Sequence, residues 1–205
     1  MLQRTLLALF AIIFIWSAVH PHDYFTWCLE VFPAVIGLAL LIATRRTFPL
    51  TPLLYTLLFL HATILAVGGH YTYAEVPLGN WVRDALGLAR NHYDRLGHFA
   101  QGFIPAMLAR EILVRRNVVR GRGWIYFIVV SICLAISAAY ELLEWRVSIA
   151  TGSKGDAFLG TQGDIWDAQK DMGLAALGAL ICMVVTATVR TLRVRPPVLL
   201  AGRDA

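Results

Sequence analysis

Charge is scarce in this chain. Only 15% of its 205 residues are Asp, Glu, Lys or Arg, against roughly 25% in a soluble domain. Hydrophobic residues make up 58%. That balance excludes a disordered chain and one that wraps nucleic acid, so no nucleic-acid partner is expected. Cysteine is scarce as well: Cys28, Cys133 and Cys182 each sit inside an apolar run, which argues against a disulfide framework. The sequence has no internal repeat, no low-complexity segment, no Ser-centred nucleophile elbow and no His-Glu-x-x-His run.

What the chain has instead is long apolar runs, and its mean hydropathy of +0.64 comes from them. Six candidate spans fall near 5–19, 24–44, 50–68, 96–113, 124–145 and 164–189. At about 20 residues each they would use about 120 positions. The expected fold is therefore all-α, a polytopic transmembrane helix bundle forming one integral-membrane domain over 1–205. The first span follows a lone Arg4 and meets a second apolar run at once, with no small-x-small cleavage site between them, so it reads as a retained helix.

The arginines set an orientation. With the amino terminus in the cytoplasm, Arg4, Arg45, Arg46, Arg110, Arg115, Arg116, Arg120, Arg122, Arg190, Arg193, Arg195 and Arg203 fall inside, 12 of the 18 basic residues. Arg83, Arg90, Arg95, Arg146, Lys154 and Lys170 stay outside. Six crossings return the tail from Arg190, with Pro196 and Pro197, to the cytoplasm. Trp16, Trp27, Trp124, Trp145 and Trp166 fall near span ends, at headgroup level. The expected location is the bacterial inner membrane, multi-pass, with both termini cytoplasmic and lipid as the partner.

The acidic residues have the opposite bias. Ten of thirteen, including Asp156, lie outside or at outer span ends. The one long connection, 69–95, carries Trp81, Val82, Ala85, Leu86 and Ala89 at helical spacing, opposite Asn80, Arg83, Asp84 and Arg90. That pattern predicts a short amphipathic helix on the extracytoplasmic surface.

Three spans carry polar stripes at this same depth. The fourth opens with Asp94, His98 and Gln101, the fifth closes with Ser137, Glu141 and Glu144, and the sixth opens with Asp164, Asp167 and Asp171. Ionisable groups inside spans are costly and face the bundle interior or a water-filled cavity. Ala175 and Gly178, with Gly173, would let a neighbouring backbone approach closely. Seven carboxylates, those of Glu75, Asp94, Glu141, Glu144, Asp164, Asp167 and Asp171, cannot all remain ionised in one low-dielectric pocket. Protonation, pairing with Arg95, Arg146 or Lys170, or a divalent cation would neutralise them. His70 and His98 beside carboxylates form a ligand set suited to Zn, Mn or non-haem Fe, and a carboxylate-only subset suits Mg or Ca. Zn, Mn and Mg are not distinguished by this pattern.

Four segments carry a family resemblance: Gly69-His70-Tyr71-Thr72-Tyr73-Ala74-Glu75-Val76-Pro77, Asn91-His92-Tyr93-Asp94-Arg95-Leu96-Gly97-His98, Tyr140-Glu141-Leu142-Leu143-Glu144-Trp145, and Gly163-Asp164-Ile165-Trp166-Asp167-Ala168-Gln169-Lys170-Asp171. In them the chain resembles the YjdF-like family of bacterial inner-membrane proteins. The resemblance spans nearly the whole sequence and implies a multi-pass inner-membrane protein, with no particular reaction.

The leading functional expectation is a metal-dependent hydrolase or transferase acting on a lipid or lipid-linked headgroup. His70, His98, Asp94, Asp164 and Asp167 are candidate metal ligands, and Glu141, Glu144 and Asp171 are candidate catalytic residues, a glutamate serving as general base. Two alternatives stand beside it. One is a proton- or cation-coupled transporter using Glu30, His61, Glu141 and Asp171 as a relay. The other is a non-catalytic assembly or partner-binding protein.

Overall fold

Backbone amides in hydrocarbon must be satisfied within their own segment, and the regular structure of this chain is helical throughout the described residues. The computed structural model describes residues 1–152, 158 and 160–189. Lys154, Asp156 and the tail that begins at Arg190 and carries Arg193, Arg195, Pro196, Pro197 and Arg203 lie outside them. Among the described residues seven α-helices have defined bounds: α1 (Leu2–Ala18), α2 (Tyr24–Thr44), α3 (Pro52–Tyr71), α4 (Pro77–Leu86), α5 (Tyr93–Arg115), α6 (Arg122–Thr151) and α7 (Asp167–Thr188). A 3-10 turn, Tyr73–Glu75, joins α3 to α4.

Local chemistry sets the helix starts. Asp23 caps α2 by accepting from Thr26 N at 2.7 Å. Thr51 caps α3, with Pro52 at its first position, and Pro77 occupies the same place in α4. Helix α4 stops at Gly87, whose φ of +63° is the left-handed conformation that closes a helix. The amphipathic stripe predicts a helix running on through Ala89 and Arg90. It ends earlier, and Arg90 turns inward and is buried. Helix α7 starts at Asp167, later than the expected 164, because Asp164 is held in a turn: its N–H donates to Thr161 O and its Oδ1 accepts from Trp166 N. Helix α6 extends past Trp145 to Thr151.

Four helices, α2, α3, α6 and α7, are long and apolar enough to cross a membrane, and α1 is apolar but shorter, at 17 residues. Helix α5 is different. Its 23 residues give a length of about 35 Å, enough to span, yet it carries Asp94, Arg95, Arg110, Glu111 and Arg115. It is also the most enclosed helix, packed chiefly on α7 and further against α6 and α3. Its polar groups face other helices rather than lipid, so composition understates its burial.

The α5–α7 contact depends on small residues. A Cβ on Gly102 would overlap the carbonyl oxygen of Ala175, and one on Gly178 would overlap Phe99 O and lie 2.9 Å from Phe103 N. Gly173, expected to share this role, faces away from the contact: a methyl group there would meet nothing within 4 Å. Below this seam lies an apolar core that includes Leu54, Ala106, Met107, Val129, Cys133 and Met183. Helices α1 and α2 both pack on α3. At their shared end Trp27 Nε1 donates to Ser17 Oγ at 3.1 Å, while Trp16, Trp145 and Trp166 remain exposed.

This seam predicts a sharp contrast among glycines. Gly102→Val and Gly178→Val should each lower the thermal midpoint in detergent, by on the order of 1–3 kcal/mol of stability as expected for overpacking. Gly173→Ala should leave it unchanged. Equal effects at all three positions would contradict the close approach.

Candidate functional site

The polar end of the bundle gathers the first turns of α5 and α7 and the later turns of α6. In α5, Asp94 and His98 are one turn apart and both buried, with His98 6% exposed. His98 Nε2 lies 3.5 Å from Asp94 Oδ1 and 3.5 Å from Glu141 Oε1 of α6. From α7, Asp171, 2% exposed, completes a group in which Asp94, His98 and Asp171 each offer a ligand atom within 4.8 Å of the others. Among the described residues, three buried atoms here make no hydrogen bond: His98 Nδ1, Asp171 Oδ1 and Glu141 Oε1, the last having only its 3.5 Å approach to His98 Nε2. Burying a polar atom without a partner costs about 1–3 kcal/mol, so the unmet polar demand of the bundle concentrates at this end.

The outer rim of the group is an ion-pair network around Arg90. Its guanidinium donates to Asp167 Oδ1 at 2.5 Å, to Thr161 O at 3.0 Å and to Gly160 O at 3.2 Å, and it lies 3.6 Å from Asp164 and 4.0 Å from Asp94. Arg95 Nη2 and Lys170 Nζ both donate to Asp164 Oδ2, at 3.0 and 2.5 Å. Lys170 and the Trp166 N–H hold the Asp164 carboxyl below its ordinary range. His92 is pushed the same way by desolvation and then by Arg95 and Arg90. Arg95 Nη1 lies 3.1 Å from its Nδ1. Of the three cations expected to neutralise the acids, Arg95 and Lys170 are in the network.

Residues expected to act together thus separate by position. Asp94, His98 and Asp171 converge, and Glu141 touches His98. Asp164 and Asp167 lie at the rim and are engaged by Arg90, Arg95 and Lys170. His70 stands apart: its Nδ1 is 3.1 Å from Ser17 O, and its ring packs on Trp16 with centroids 4.4 Å apart, joining α3 to α1. Glu75 is exposed, and among the described residues its carboxylate meets Asn80. In its place comes Glu30 of α2, 3% exposed, which interacts with Tyr73 and feels the charges of Asp94 and His98. Tyr73 is itself buried, its ring wedged against Gly68 and Gly97.

Beside the group a cavity of about 310 Å³ opens between α6 and the start of α7, lined by Glu141, Glu144, Trp145, Asp164, Ile165 and Asp167 among others. Of the lining residues Ile165 is 85% exposed. Helix α4 does not line it. Instead α4 is tethered through Asn91, whose Nδ2 donates to Val76 O at 3.0 Å and Asn80 Oδ1 at 2.9 Å. Arg90 is the member of this network least visible in the sequence. Its only signal is the four-residue spacing to Asp94, which places the two on the same side of the entry to α5.

Among proteins of known sequence, the family described as "Predicted membrane protein (DUF2238)" matches residues 2–192. The chain is 57% identical over 176 residues to "Inner membrane protein YjdF" of Escherichia coli (strain K12), covering 86% of this chain and 84% of that protein. No solved structure matches it.

Removing Arg90 leaves Asp167 buried without its partner, so Arg90→Ala should destabilise by about 3–5 kcal/mol. Arg90→Lys should recover little, because a lysine lacks the fork that also reaches Gly160 and Thr161. Arg83→Ala, which removes the exposed pair with Asp84, should leave the thermal midpoint in place. An Arg90→Ala protein as stable as the parent would refute the network.

Proposed function

Because the chain belongs to the DUF2238 family of predicted membrane proteins and is a multi-pass inner-membrane protein, we propose that its polar end is a divalent-cation site. We further propose that this site serves a hydrolase or transferase acting on a lipid or lipid-linked headgroup. One observation carries the reading. Asp94, His98 and Asp171 each offer a ligand atom within 4.8 Å of the others, and His98 Nδ1 and Asp171 Oδ1 are buried without a hydrogen-bond partner among the described residues, beside an acid-lined cavity.

In this reading Asp94, His98 and Asp171 hold the cation. A mixed imidazole and carboxylate set suits Zn or Mn, and its carboxylates suit Mg. The cation supplies Lewis acidity toward a phosphoryl or acyl oxygen. Glu141, at 3.5 Å from His98 Nε2, orients the imidazole. Glu144 lines the cavity and serves as general base, taking a proton from the attacking water or alcohol as the headgroup ester bond breaks. Arg90, Arg95 and Lys170 neutralise Asp164 and Asp167, so those two shape the rim instead of competing for the cation. Exposed Ile165 in the cavity wall offers an apolar side toward lipid.

The orientation follows the arginines. Arg45, Arg46, Arg115, Arg116, Arg120 and Arg122 all lie at the end opposite the site, and on the positive-inside rule we propose that this end faces the cytoplasm and the site the outer leaflet, with both termini inside. Helix α1 agrees, because its contact with His70 puts its last turn at the polar end and its first turn opposite.

Elemental analysis of protein purified without added metal should find near-stoichiometric divalent ion, lost in His98→Ala and in Asp171→Asn and kept in His70→Ala. Release of headgroup from membrane lipids should fall at least 100-fold in Glu144→Gln, with metal content unchanged. Metal retained in both His98→Ala and Asp171→Asn would overturn the ligand assignment. A reporter fused at Gly87 should report an extracytoplasmic location, and one at Asn117 a cytoplasmic one; the reverse result would invert the topology.

A further inference from the structure

The opposite end of the bundle holds a second cavity, of about 430 Å³, that takes no part in the chemistry above. Arg110 of α5, Asn117 and Arg120 of the α5–α6 connection, Arg122 and Tyr126 of α6 and Thr186 of α7 contribute to its wall. Three of the described lining residues are arginines and none is a carboxylate. The nearest acid in sequence, Glu111, is committed elsewhere: it accepts from Thr51 Oγ1 at 3.0 Å and from Arg115 Nη1 at 2.7 Å. Arg110 is half-buried and already engaged within the fold. Arg120 and Arg122 are exposed and belong to no ion pair among the described residues.

The connection that presents them has a defined shape. Asn117 and Gly121 take left-handed backbone angles, φ +51° and +90°, and Val118 N donates back to Leu113 O at 3.1 Å, closing α5. Helix α6 then starts at Arg122 with no side chain capping its first amides, so they face the same end. Trp124 and Phe127, 64% and 65% exposed and packed edge to face, flank this corner at the depth where membrane aromatics sit.

We infer that this cavity binds a phosphate-bearing anion, with Arg120 and Arg122 meeting its charge and Arg110 and Tyr126 forming the inner wall. Basic pockets between transmembrane helices on a cytoplasmic side are suited to anionic headgroups, and guanidinium forks match phosphate oxygens. A phospholipid headgroup and free inorganic phosphate share this chemistry. The volume, within the roughly 300–1,000 Å³ of ligand pockets, and the flanking exposed aromatics favour the headgroup.

The test uses the full chain in detergent, offered phosphatidylglycerol, phosphatidylcholine or inorganic phosphate and read by native mass spectrometry. The parent protein should retain phosphatidylglycerol over phosphatidylcholine, and the double variant Arg120→Gln/Arg122→Gln should retain at least tenfold less. The double variant Arg45→Gln/Arg46→Gln removes the same charge at the same end outside the cavity and should behave as the parent. Displacement of the lipid by millimolar phosphate would identify the free anion as a ligand of the same site, and no displacement would assign the site to the headgroup. Equal lipid retention by parent and Arg120→Gln/Arg122→Gln, or equal loss in the Arg45→Gln/Arg46→Gln control, would overturn the inference.

Discussion

A charged side chain carried into hydrocarbon must find another polar group or reach water, and helix α5 is where this chain meets that demand. Its outer turns hold Asp94 and His98 and its inner turns hold Arg110, Glu111 and Arg115, so it cannot face lipid along its length. It sits instead against α3, α6 and α7. Glycine at 102 and 178 lets α7 approach until backbone meets backbone, and that closeness brings Asp171 to His98. The network around Arg90 and the bonds from Thr51, at the start of α3, to Glu111 satisfy the two ends of the same helix. The polar cluster and the seam are thus one solution to one problem.

The result is a bundle with two chemically opposite ends. One collects carboxylates, two of them held by arginine and lysine at the rim and others buried around His98. The other collects arginines around a cavity whose described wall lacks carboxylates. On the proposed reading the first end would hold a cation and the second an anionic headgroup.

Much of this was legible in the sequence because the period of apolar runs is set by membrane thickness, which no tertiary contact overrides. All six expected spans coincide with helices, and the stripes on α5, α6 and α7 meet as their spacing implied. What could not be read were contacts made by chain direction after a helix ends. Gly87 terminates α4 early, and the few residues that follow swing Arg90 from an assumed surface position to the centre of the ion-pair network. His70 and Glu75 sit close to the cluster in sequence logic, yet His70 lies on the face of α3 that packs on α1 and the turn after Tyr71 leaves Glu75 exposed. Glu30 joins because α2 packs on α3, a pairing that hydropathy does not encode. Gly173 resembles Gly178 in composition, but only a helix's rotation about its axis separates a seam glycine from one facing away.

The convergence of α5 and α6 on one imidazole is the claim on which the site stands, and a double-mutant cycle between His98 and Glu141 reads it directly. With unfolding followed for His98→Ala, Glu141→Gln and the pair, residues in contact should couple by about 0.5–3 kcal/mol. Strictly additive effects would mean that the two side chains do not meet, and the polar end would then be a collection of separate surface charges.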